Sequence, residues 1–148
     1  MWPSGAGCVC TWSFLPVCAN VAKILIADDD ATLRDMLRTA FERDGHEVAF
    51  AENGSGTGEL IRETMFDLVV LDISLPDKTG PELLAQLKLE NALVPPTMIL
   101  SAKVSHELVR ECVDAGAKDF VIKPFNLPVL MQRAAKLIEK NWKPPVRR

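Results

Sequence analysis

Six side chains able to do chemistry recur at similar places along this 148-residue chain. Asp28, Asp29 and Asp30 follow the apolar run Lys23–Ala27, and Asp72 follows Leu68–Leu71. Ser101 follows Thr97–Leu100, and Lys123, with Pro124 behind it, follows Phe120–Ile122. Each alone has an ordinary explanation: an acidic triplet after a strand reads as a solvated turn with a helix cap, Lys123 as a surface lysine, Ser101 as a polar strand end. Chance accounts poorly for all of them closing successive apolar runs. Brought within a few ångströms, Asp28, Asp29 and Asp72 cannot all ionise cheaply, because like charges raise one another's pKa. A divalent cation together with Lys123 supplies three positive charges against those three carboxylates. All-oxygen donors with access to water suit Mg2+ or Mn2+ and not zinc. Such a pocket attracts a dianionic phosphoryl group, with Asp72 placed as a carboxylate nucleophile and Ser101 offering a hydroxyl hydrogen bond to the same oxygens.

Residues this far apart meet only if the elements behind them are ordered. Five short apolar runs recur, at 23–27, 47–51, 68–71, 97–100 and 120–122, each followed by a helical pattern. Several are nearly continuous Ile, Leu and Val, as in strands buried on both faces of a parallel sheet. Leu33, Met36, Leu37, Ala40 and Phe41 form one apolar helix stripe, capped by Asp30 and ended by Gly45. Gly80-Pro81 opens a third helix that buries Leu84 and Leu87; a fourth runs from about Ser105 to Ala115 and stops at Gly116. The last begins near Leu127 and carries Leu130, Ala134, Leu137 and Ile138 in register. Gly54, Gly56 and Gly58 crowd the second helix, at a cost of about 1 kcal/mol each against alanine, so it is expected to start late or be mobile. Five βα units predict a flavodoxin-like α/β three-layer sandwich with a parallel five-stranded sheet in the order 2-1-3-4-5. In such folds ligands bind outside the carboxyl ends of the strands, where the order reverses.

Composition narrows the class further. The chain is 48% hydrophobic and 25% charged, which is not the balance of a disordered protein, and its length fits one domain with a real core. No apolar run approaches the ~20 residues of a membrane-spanning helix. Residues 1–22 hold no charge, and Lys140, Lys143, Arg147 and Arg148 gather in the tail, so the body between is more acidic than the overall −3. An acidic body is a poor nucleic-acid surface. The chain therefore divides into an uncharged leader (1–22), expected to be disordered or not native, a folded body (23–139) and a basic tail (140–148), in which Trp142 is expected to cover a little apolar surface or contact a partner. The leader lacks the basic start and unbroken apolar stretch of a secretory signal, and Val21 is a candidate native start, since a bacterial start codon can read as valine. Cys8, Cys10 and Cys18 crowd the leader while Cys112 stands alone, which is neither a disulfide framework nor a zinc site and suits a reduced, cytoplasmic compartment. Cys112 falls on a helix stripe with Leu108 and Val109 and reads as core. His46 and His106 read as exposed residues without a catalytic partner.

The blocks Lys23-Ile-Leu-Ile-Ala-Asp-Asp, Asp72-Ile-Ser-Leu-Pro-Asp-Lys-Thr-Gly80, Ser101-Ala102-Lys103 and Lys123-Pro124-Phe125 resemble the signatures of response-regulator receiver domains of two-component phosphorelay signalling. The resemblance covers roughly residues 23–138. It implies that Asp72 accepts a phosphoryl group from a sensor histidine kinase or a histidine phosphotransfer protein. It also implies that Asp29, Asp72 and the Ser74 backbone carbonyl bind Mg2+, with Asp28 helping through water, and that Ser101 and Lys123 contact the phosphoryl oxygens. The Lys123–Pro124 bond would be cis. Phe120 matches the aromatic that turns inward when the Ser101 hydroxyl moves toward phosphate, switching the surface of helix four, strand five and helix five. Ser74 and Lys103 would flank the path of hydrolytic water. A receiver of this kind catalyses only its own phosphorylation and dephosphorylation, docks a downstream effector, and is a monomer or a phosphorylation-dependent dimer, without direct contact to nucleic acid or membrane.

Three rivals remain open on sequence. Asp28-Asp29-Asp30-Ala31-Thr32 also resembles the D-x-D-x-T nucleophile motif of haloacid-dehalogenase-like phosphatases, which would make Asp28 the nucleophile. Against it, the only acid after Lys123 is Glu139 and no cap for a substrate is evident. A pseudo-receiver would have lost part of the acidic pair, the acceptor or the lysine. A nucleotide-binding loop would need a lysine that Gly54-Ser-Gly-Thr-Gly58 lacks.

Overall fold

The computed structural model describes residues 21–141. Its elements alternate strictly: β1 (Lys23–Ala27), α1 (Ala31–Arg43), β2 (Glu47–Ala51), α2 (Gly54–Glu63), β3 (Leu68–Asp72), α3 (Gly80–Leu89), β4 (Thr97–Ser101), α4 (His106–Asp114), β5 (Asp119–Ile122) and α5 (Leu127–Asn141). All strand pairs are parallel, in the order β2-β1-β3-β4-β5. Parallel neighbours need a crossover, and each crossover helix covers one face of the sheet. β3 and β4 are consequently buried at every position.

Alternation along the strands divides the interior into two cores. Leu25, Val69, Leu71 and Ile99 face α2, α3 and α4, with Cys112 buried among them. Ile24, Ile26, Val70 and Leu100 face α1 and α5 and meet Leu37, Phe41, Leu130, Ala134 and Ile138. Fully burying one such aliphatic side chain stabilises by about 1.5–3 kcal/mol, so the buried central strands anchor the described fold. Among the described residues no helix is long and apolar enough to cross a membrane. Trp142, the three leader cysteines and most of the basic tail lie outside the described residues.

Local chemistry sets the helix ends. Asp30 accepts from the Thr32 and Leu33 amides, Thr79 and Glu82 form a reciprocal capping box with Pro81 in the first turn of α3, and Ser105 caps α4. Gly45 and Gly116 follow α1 and α4 at φ +91° and +110°, conformations that cost a β-carbon dearly. Two expectations need correction. The second helix does not start late: α2 begins at Gly54, because Asn53 caps it and Asp77 accepts from the Gly54 and Ser55 amides. Met36 belongs to the apolar stripe of α1 by spacing yet is 40% exposed, since Leu37 and Phe41 already fill the contact with the sheet.

His46 also departs from the exposed histidine expected. It is half-buried, its ring tilts against Phe41, and Nδ1 accepts the Ala22 amide at 3.0 Å, tying the start of β1 to the residue before β2. Burial lowers its pKa below 6.5, against the opposing pull of Asp44 and Asp67. A base whose folded pKa is depressed contributes stability that is complete above its unfolded pKa and is lost as pH falls through that value toward the folded one. Urea denaturation below pH 6.5 should therefore show stability declining by about 1.4 kcal/mol per unit of depression, and His46→Gln, which keeps an acceptor but no titrating ring, should lack that component. An unchanged pH profile in the variant would refute the assignment.

Candidate functional site

Strand register brings the acidic residues together. β1 pairs with β3 at Ala27 and Leu71, so the next residues, Asp28 and Asp72, emerge side by side. Asp28 is 1% exposed and Asp72 7%. Lys123 leaves the end of β5 and reaches across β4, where strands lie ~4.8 Å apart, so a long flexible stem is required. Its Nζ donates to Asp72 Oδ1 at 3.2 Å and to Asp28 Oδ2 at 3.3 Å. The Asp30 amide donates to Asp28 Oδ1 at 2.9 Å, and Arg34 Nη1 donates to the Asp28 carbonyl at 2.7 Å.

The acidic triplet divides its labour. Asp30 is turned away as the cap of α1, while Asp28, Asp29 and Asp72 each offer a carboxylate oxygen, all within 4.8 Å of one another. Burial, and then the neighbouring Asp72 charge, raise the Asp28 pKa, although the Asp30 amide and Lys123 work in the opposite direction. Burial also acts to lower the Lys123 pKa, but Asp28 and Asp72 together outweigh it and the net direction is upward. One ammonium is thus held firmly charged, and it does not relieve the carboxylates completely. Three hard oxygen donors with surplus negative charge, one of them exposed to water, fit a divalent cation.

The remaining candidates surround this cluster. Ser101 ends β4 opposite Ile122, its carbonyl accepts the Lys123 amide at 2.7 Å, and its hydroxyl donates to the Lys103 carbonyl at 2.7 Å while accepting the Lys103 amide. Reaching a phosphoryl oxygen therefore means exchanging bonds within its own loop. Phe120 pairs with Ile99 and is half-buried against the core under α4; by alternation Ser101 lies on that same face. The Lys123–Pro124 peptide is cis. Ser74 forms a bridge with Thr79 whose two bonds use Leu75 with Lys78 and Gly80 with Ile73, leaving the Ser74 carbonyl out of the pairing. Sequence reasoning missed Arg34 and Asp77. Arg34 follows Asp30 by one helical turn, a spacing that could have placed it near the acids, whereas nothing local links Asp77 to a helix more than twenty residues earlier.

Fold, strand-end carboxylates and lysine together define a response-regulator receiver. The family profile described as the response regulator receiver domain matches residues 24–135, and the chain belongs to that family. Receivers take a phosphoryl group on an aspartate and catalyse only their own phosphorylation and dephosphorylation. Among curated relatives, a probable transcriptional regulatory protein of Picosynechococcus is 35% identical over 127 residues, covering 81% of this chain and 50% of the relative. The transcriptional regulatory protein PhoP of Escherichia coli K12 is 31% identical over 119 residues, covering 80% of this chain and 53% of the relative. The chain thus spans about half the length of the curated relatives it matches. Among solved structures, the receiver domain of the Francisella response regulator 1452 superposes with a TM-score of 0.75 at 33% identity, covering 80% of this chain and 98% of that one.

Removing Lys123 should leave buried carboxylates facing one another without a cation. Lys123→Met is expected to cost about 2 kcal/mol in metal-free urea denaturation, less than a fully buried pair because the lysine is partly exposed. Millimolar Mg2+ should recover part of that loss. Equal losses with and without metal would contradict a shared electrostatic origin.

Proposed function

We propose that Asp72 is the phosphoacceptor and that Asp29, Asp72 and the Ser74 carbonyl hold Mg2+ (or Mn2+), with Asp28 assisting through water. The observation that carries this reading is the Lys123 ammonium shared by Asp72 and Asp28 beside a third carboxylate. An Asp72 carboxylate oxygen attacks phosphorus while the bond to the donor, a phosphohistidine nitrogen, breaks; the acyl phosphate stays on Asp72 and the imidazole leaves to take up a proton. The bound cation supplies charge neutralisation at the phosphoryl oxygens. Lys123 neutralises part of the same charge, and Ser101 donates its hydroxyl once freed from Lys103. Asp28 as nucleophile, the phosphatase reading, finds no support: it is buried, both its oxygens are engaged, and Asp30 caps a helix.

The donor in this reading is a sensor histidine kinase or a phosphotransfer protein. The response is a repacking of Ser101 and Phe120 that alters α4, β5 and α5 for a downstream effector. Val104, Val113, Ile122 and Val129 stand 46–58% exposed along that part of the molecule, which supports an apolar contact there. Incubation with Mg2+ and a small phosphodonor, followed by peptide mapping, should find one acid-stable, alkali-labile phosphoryl group on Asp72, absent in Asp72→Ala. A phosphoryl group on Asp28, or one that persists in Asp72→Ala, would overturn the assignment.

A further inference from the structure

The segment that carries the Ser74 carbonyl is a closed hairpin. Gly80 donates to the Ile73 carbonyl at 2.8 Å, Leu75 donates to the Lys78 carbonyl at 3.1 Å, and Ser74 bridges Thr79. Two backbone bonds and one bridge tie the tip of this hairpin to the residues at its base. That tip is anchored on another element. Asp77 Oδ1 accepts the Gly54 amide at 2.6 Å; Oδ2 accepts the Ser55 amide at 2.9 Å and the Ser55 hydroxyl at 3.1 Å. These donors are first-turn amides of α2 with no partner inside their own helix, so the carboxylate also meets the positive end of the helix dipole. The approach is close enough that a β-carbon at Gly54 would run into the Lys78 stem and lie 3.0 Å from Asp77 Oδ1, which gives the glycine at that position a reason.

We propose that Asp77 is a positioning residue for the metal site: by clamping the hairpin tip to the first turn of α2, it holds the Ser74 carbonyl in place to bind the divalent cation. The proposal rests on the metal reading given above and adds α2, an element with no residue in the site, to what sets metal affinity. A helix cap alone is a different role, and Asn53 separates the two, because its hydrogen bonds go to Gly56 and Thr57 of the same helix and not to the hairpin.

The test is calorimetric titration of the full chain with Mg2+ alone, for wild type, Asp77→Ala, Asp77→Asn and Asn53→Ala, with metal-free melting temperature recorded on the same samples. Asp77→Ala is expected to raise the half-saturating Mg2+ concentration about tenfold, the usual scale for losing a group that orients a metal ligand. Asp77→Asn, which keeps one acceptor and is the milder change to folding, should fall between. Asn53→Ala should melt earlier yet bind Mg2+ as wild type does. Unchanged affinity in both Asp77 variants, or an equal loss in Asn53→Ala, overturns the clamp while leaving the metal site standing. A wild-type protein with no saturable Mg2+ binding overturns both.

Discussion

Two carboxylates at the ends of neighbouring strands, Asp28 and Asp72, are buried side by side and share one ammonium, that of Lys123. Burial raises the Asp28 pKa, and the repulsion of the neighbouring Asp72 charge adds to it. A protein gains nothing in stability from the arrangement for its own sake. It gains a place where added positive charge is welcome. Much of the chain can be understood as the means of holding that unfavourable cluster together.

The parallel sheet does most of this. Continuous apolar strands pinned between two cores leave their carboxyl ends at a common rim, so residues from positions 28, 72 and 123 meet without long loops. Softer parts lie around the rim. The Ser101 hydroxyl is satisfied by Lys103 within its own loop, and Phe120 is only partly buried; the proposed switch would exchange these contacts. A rigid frame with a few exchangeable bonds at its mouth is the physical requirement for two packings of similar energy.

Much of this was legible in the sequence because its signals are local or periodic. The strand runs, the cap at Asp30, and the glycines after α1 and α4 announce themselves within a few residues, and the alternation of strand and helix patterns announces a parallel sheet. The meeting of Asp28, Asp29, Asp72 and Lys123 was legible because strand ends in this topology converge, so position along the chain sufficed to bring them together. Long-range polar contacts were not. His46 looked exposed because its partner, the Ala22 amide, lies far back in the chain, just before β1. The start of α2 looked weak because its glycines were weighed without Asp77, which arrives from the loop after β3. Met36 fits the helical period as well as Leu37 does; only the packing shows which of the two the sheet has room to cover.

The claim at the centre is that the strand-end acids bind a divalent cation next to the carboxylate that takes the phosphoryl group. Crystals soaked in Mn2+ and measured for anomalous scattering test it most directly. One strong peak should stand about 2.1 Å from oxygens of Asp29, Asp72 and the Ser74 carbonyl. A peak elsewhere, or none at millimolar Mn2+, would contradict the account.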